Sequence, residues 1–109
     1  MTNSRNKGKR GEIELGHELR RIFGVDARRG RQFSGSDESP DVVGLDGVHI
    51  ECKRVEALRL YEAVEQSVAD AGPNVPVVCH RRSRKPWLLV VRLDDVPWLV
   101  RTLEDSLDD

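Results

Sequence analysis

The chain has 109 residues, 38% hydrophobic and 34% charged, with a net charge of −1, which suits one domain with a modest core and is too short for two. No apolar run approaches the roughly 18–20 residues of a membrane span, and the basic start of the chain lacks the apolar stretch of a signal peptide. The near-zero total hides an uneven distribution. Arg5, Lys7, Lys9 and Arg10 come first without an acid among them, Arg28, Arg29 and Arg31 form a second basic cluster, and Arg81, Arg82, Arg84 and Lys85 a third. Glu104, Asp105, Asp108 and Asp109 collect in the tail. Local basic fields of this kind steer phosphate whatever the total charge. Cys52 and Cys79 sit in separate apolar runs, spaced neither as a disulfide framework nor as a zinc site. Both read as buried thiols in a reducing cytoplasm.

Residues 1–8 read as a basic, flexible N-terminus, 9–105 as a single domain and 106–109 as an acidic tail. From Lys9 to Phe23, Ile13, Leu15, Leu19, Ile22 and Phe23 recur at helical spacing, and Gly24 ends the helix. A short strand is expected around Val25–Arg31. Ser34 to Pro40 is an irregular loop of small polar residues. Asp41–Gly44 and Val48–Arg54 read as a hairpin, and Leu58, Tyr61, Val64, Val68 and Ala71 as the stripe of an amphipathic helix stopped by Gly72-Pro73. Val75–His80 and Trp87–Leu93 are two further strands joined by a basic loop. Asp94 or Asp95 is placed to cap a last helix with Pro97 in its first turn. The order is helix, three strands, helix, two strands, helix, which predicts an α/β fold with helices flanking a central mixed sheet.

The informative feature is Pro40-Asp41 followed by Glu51-Cys52-Lys53. Clustered carboxylates hold a hard divalent cation, which activates water and polarises a phosphate, and a neighbouring lysine orients that water or offsets developing negative charge. Strand alternation puts Glu51 and Lys53 on one face of their strand with His49 beside them, and Val48, Ile50 and Cys52 on the other. The first face is therefore expected to point away from the core. Asp41 joins it only if the hairpin turn has three residues, Leu45-Asp46-Gly47, so that Asp41 faces Glu51 and Val42 faces Ile50. A two-residue turn at Asp46-Gly47 would send it to the wrong face. The longer turn suits both the chemistry and the core, with Gly47 in the left-handed position. Glu12 lies along the inward stripe of the first helix. It is either a further member of the cluster or an acid favoured by the helix dipole in a first turn.

The segments Lys9-Arg10-Gly11-Glu12, Arg28-Arg29-Gly30-Arg31, Pro40-Asp41, Glu51-Cys52-Lys53 and Gln66 resemble the PD-(D/E)xK nuclease superfamily, and within it the small Holliday-junction-resolvase-like enzymes of archaea and phages. The resemblance covers about Lys9 to Leu99. It implies a restriction-endonuclease-like core with a mixed sheet of about five strands. It implies catalytic Asp41, Glu51 and Lys53 with Glu12 and Gln66 assisting, and Mg²⁺ (or Mn²⁺ in its place) on Asp41 and Glu51 with Glu12. It also implies a homodimer acting on DNA in a bacterial or phage-infected cell, with a functional loop serine for which Ser36 is the choice among Ser34, Ser36 and Ser39.

DNA contacts are expected from Lys9, Arg10, Arg28, Arg29, Arg31 and the loop residues Arg81, Arg82, Arg84 and Lys85. His17, His49 and His80 lack ligand spacing and read as surface or half-buried. Trp87 and Trp98 read as core or dimer contacts, with an interface near Trp87–Val91 and Val96–Val100 and Trp98 close to it. The expected activity is endonucleolytic cleavage of branched DNA. A nuclease with little structural preference and a non-catalytic DNA-binding module are the alternatives.

Overall fold

The computed structural model describes residues 4–30 and 40–108. Its elements are α1 (Ser4–Phe23), β1 (Arg28–Arg29), β2 (Val42–Val43), β3 (Val48–Arg54), α2 (Leu60–Asp70), β4 (Val75–Arg81), β5 (Leu88–Val90) and α3 (Val96–Leu107), the last preceded by a single 3₁₀ turn at Leu93–Asp95. The strands form one sheet in the order β1-β2-β3-β4-β5. The β3/β4 pair is parallel and every other pair is antiparallel. A parallel neighbour needs a crossover, and α2 supplies it. The expected element order and the mixed five-stranded α/β sheet are therefore present.

The hairpin adopts the longer of the two turns weighed above. Val42 faces Ile50, Val48 N–H donates to the Leu45 carbonyl across 3.1 Å, and Gly47 has φ +83°. A side chain at that φ would be strained, so glycine closes the turn.

Register decides which residues meet each helix. Val48, Ile50, Val75, Val77 and Cys79 share a core with Leu15 and Leu19 of α1 and Leu99 of α3. Each large apolar side chain buried there is worth about 1.5–3 kcal/mol. On the opposite face α2 presents small residues: Ala63 and Ser67 are buried, and Ser67 Oγ donates to the Val77 carbonyl across 3.0 Å. The stripe expected for α2 is thus displaced. The helix lies close to the sheet through its small side chains, and Tyr61, the second member of that stripe, is 81% exposed.

Other differences are local. Helix α1 begins at Ser4, inside the segment expected to be flexible. Its Ile13 and Ile22 face outward while Leu15 and Leu19 are buried. β1 and β5 are shorter than expected. Asp95 does stand at the N-cap of α3, but its side chain makes no cap bond and accepts instead from Arg92 Nε at 2.7 Å. Trp98 is half-buried and packs against the protein's own core, one of the two roles expected for it. Among the described residues no helix is long and apolar enough to cross a membrane.

Candidate active site

The site forms where the hairpin, α1 and α2 meet, and strand β3 is its spine. Alternation places His49, Glu51 and Lys53 on the face covered by α2. That cover changes the expected environment. Glu51 is only 4% exposed and His49 only 2%, so neither points into open solvent and His49 is not the surface or half-buried histidine expected. A sheet layered by helices on both sides leaves no solvent face on its central strand except at the strand's end. Lys53, two residues on, reaches that end, and its Nζ donates to Gln66 Oε1 of α2 across 3.3 Å. The glutamine suggested by resemblance thus lies within reach of the lysine. Buried inside, His49 Nε2 and Glu51 Oε1 are 2.8 Å apart.

Asp41 enters from the start of β2. Its backbone N–H donates to the Ile50 carbonyl at 2.9 Å, and its Oδ2 accepts from the Cys52 backbone N–H at 2.8 Å. Burial pushes its carboxyl up to about 7. The Cys52 N–H opposes that rise, and the Glu51 and Glu12 carboxylates reinforce it. Behind this residue, Gly30 N–H donates to the Asp41 carbonyl at 2.8 Å. A Cβ on Gly30 would stand 2.3 Å from the Pro40 carbonyl oxygen, so only glycine lets β1 come this close.

Glu12 reaches the cluster from α1. Because α1 begins at Ser4, Glu12 lies well past the first turn, and the helix-dipole account of it falls away. Its Oε2 accepts from Arg29 Nε at 2.5 Å. Among the described residues no three His, Cys, Asp or Glu side chains are gathered closely enough to cage a metal by themselves. The donor set nonetheless has the chemistry of a magnesium site. Asp41 and Glu51 adjoin, the first held protonated up to about pH 7 by burial and like charge, and among the described residues neither is paired with a lysine or arginine. Mg²⁺ is typically bound through one or two carboxylates and keeps several waters.

The basic residues divide by what they touch. Lys9 and Arg10 are exposed on α1, and Arg28 and Arg29 on β1, with Arg28 paired to Asp26 at 2.9 Å. Arg82, Arg84 and Lys85 are exposed on the β4–β5 connection. Arg81 differs from its neighbours. Its guanidinium bonds Glu14 of α1, and its Nε donates to the Lys85 carbonyl at 2.7 Å. It braces the loop rather than projecting from it. Trp87 Nε1 donates to the same Glu14 at 3.1 Å, an anchor the sequence reading did not find, since nothing local links residue 14 to residue 87. Arg31 and Ser36 lie outside the described residues, as do Ser34 and Ser39. The two cysteines are adjacent in the β3/β4 register; Cys79 is buried as expected but Cys52, near the strand's end, only half-buried, and desolvation raises both thiols above their ordinary range.

No protein-family model and no curated protein matches the chain in sequence. Among solved structures it is similar to Hjc, a Holliday junction resolvase from the archaeal hyperthermophile Archaeoglobus fulgidus. The TM-score is 0.59 and the identity 30%, over 78% of this chain and 72% of that chain. The chain belongs to the Holliday junction resolvase family. It is thereby a member of the PD-(D/E)xK nuclease superfamily, and its five-stranded mixed sheet with three helices matches the resolvase fold.

Proposed function

We propose that this protein is a divalent-metal-dependent endonuclease that hydrolyses phosphodiester bonds in branched DNA. The observation that carries the reading is the meeting of Asp41 and Glu51 at the end of a strand face that continues to Lys53. Family membership adds to it.

Asp41 and Glu51 would hold the cation, with Glu12 able to join once its arginine is drawn elsewhere. When bound, Mg²⁺ supplies positive charge against the phosphate and eases deprotonation of the attacking water. The residues do the remainder. The water's oxygen forms a bond to phosphorus while one phosphorus–oxygen ester bond breaks, and the departing oxygen takes up a proton. Gln66 steadies Lys53, whose ammonium orients the water or offsets charge on the phosphoryl oxygens. Arg29, beside Glu12, offers a phosphate contact next to the cluster. Lys9, Arg10, Arg28, Arg82, Arg84 and Lys85 extend a basic track for the backbone on either side.

Two symmetric cuts in a junction need two sites related by a two-fold axis, so the functional unit is a homodimer. Its interface is assigned to the apolar groove between α2 and the β5 exit, lined in part by Leu60, Tyr61, Val64, Val68, Val90 and Leu93. Tyr61 and Leu93 are 81% and 85% exposed there. This moves the interface away from Trp98, whose half-buried ring packs against the protein's own core.

The test is one cleavage gel with Mg²⁺, comparing a four-way junction, nicked duplex, linear duplex and single strand. Preferential, paired incision of the junction supports the proposal. Equal cutting of linear duplex would reduce it to a nuclease of little structural preference, and binding without incision of any substrate would replace it with a DNA-binding module. Sedimentation should give a dimer that Tyr61→Glu dissociates.

A further inference from the structure

The His49–Glu51 contact has no role in the chemistry above, yet it is among the most enclosed polar contacts of the fold. Both side chains are nearly sealed from solvent, at 3% and 5% exposure. On that face Val78, the register partner of Glu51, is also buried, as are Ala63 and Ser67 of the covering helix α2. An apolar side chain at position 49 would suit such surroundings. It would also leave Glu51 Oε1 desolvated with no donor, a loss that is expensive for an ionised group.

With Glu51 ionised, as a metal ligand must be, its oxygen only accepts, so the proton of the 2.8 Å contact then lies on His49 Nε2. The bond fixes one Glu51 oxygen and with it the rotation of the whole carboxylate. The second oxygen remains for whatever lies on the Asp41 side. Ligating carboxylates are commonly held this way by an outer partner, and losing that partner weakens metal binding even though it never touches the ion. Glu51 has particular need of it. It ends a buried run on β3, and the Cys52 backbone amide that points into the cluster is already given to Asp41.

We propose that His49 is a positioning residue that orients the Glu51 carboxylate toward the divalent cation. This rests on the metal-dependent reading above and goes beyond it by assigning a residue with no place in the Pro-Asp…Glu-x-Lys pattern.

The test is Mn²⁺ affinity of the DNA-free protein, measured by calorimetry and by the electron-spin-resonance signal of free Mn²⁺. Thermal unfolding in EDTA monitors the fold, and junction affinity without added metal serves as a second readout. His49→Met, of similar bulk but without a donor, should weaken Mn²⁺ binding about 10- to 100-fold and leave junction affinity unchanged. His49→Gln, which keeps an N–H donor, should stay within about threefold of the parent protein, far less than the typical loss of an outer partner. Should His49→Met not fold, His49→Gln decides: retained affinity supports the role, and a folded His49→Gln that loses tenfold overturns it. Unchanged Mn²⁺ affinity in His49→Met, while Asp41→Ala loses binding, would sink this inference alone. If the parent protein binds no Mn²⁺ that Asp41→Ala abolishes, the metal-dependent reading fails and takes this inference with it.

Discussion

Asp41 offers the sharpest test of the site's electrostatics, because its ionisation is coupled to folding. Its carboxyl moves from an ordinary 3.8 to about 7, first through burial and then through Glu51 and Glu12. The folded protein therefore holds a proton that the unfolded chain has released between about pH 4 and pH 7. Linkage gives the sign: the fold binds more protons than the unfolded chain, so stability contributed by this group is complete below the unfolded value and is lost as pH rises through that window. A change of this size corresponds to at most about 4 kcal/mol. Only about two pH units of that window lie above pH 5, worth at most about 3 kcal/mol, and residual solvent contact reduces the difference expected between pH 5 and pH 8 to about 1–2 kcal/mol. Urea unfolding in EDTA at pH 5 and pH 8 measures it. The parent protein should be less stable at pH 8 by that amount. Asp41→Asn keeps an oxygen to accept the Cys52 N–H and carries no charge, so its stability should vary much less with pH. Saturating Mg²⁺ should restore the parent at pH 8 but not the variant. Parallel pH profiles for the two proteins would refute the reasoning, since every other titrating group is common to both.

Three further outcomes are expected. Lys53→Ala should abolish junction cleavage while leaving Mn²⁺ affinity within a few-fold, whereas Glu51→Gln should lose both. The glutamine is the better probe because Glu51 is buried beside His49 and alanine would open a void. Replacing Arg28 and Arg29 together by glutamine should flatten the slope of log K against log salt for duplex binding by about two, and an unchanged slope would move the DNA track to the Arg82–Lys85 loop. Gly30→Ala should cost about 1–3 kcal/mol and lower the cleavage rate as well, because its methyl meets the Pro40 carbonyl at 2.3 Å and pushes on the backbone that carries Asp41. An Ala variant as stable and active as the parent would show that the close approach of β1 does not position that residue.

Local physics accounts for what could be read along the chain. Alternation puts Glu51 and Lys53 on one strand face whatever lies around them. The demand that Asp41 join that face, with Val42 opposite Ile50, selects a three-residue turn closed by Gly47 at positive φ, and that is the register found. Helical spacing marked Leu15 and Leu19, and the sites of the strands and helices followed from runs of apolar residues broken by Gly and Pro. Other features depended on which surfaces come to lie together, and periodicity carries no such information. The same β3 alternation suits an exposed face or one covered by a helix. Only the docking of α2 through Ala63 and Ser67 turns His49 and Glu51 into a buried pair. In the same way, Arg81 resembles its basic neighbours in sequence, and it is withdrawn from them by Glu14 of α1 and the Lys85 carbonyl. Burial and pairing across long stretches of chain are properties of the assembled layers, and they set the charge state of Asp41 and the shape of its site.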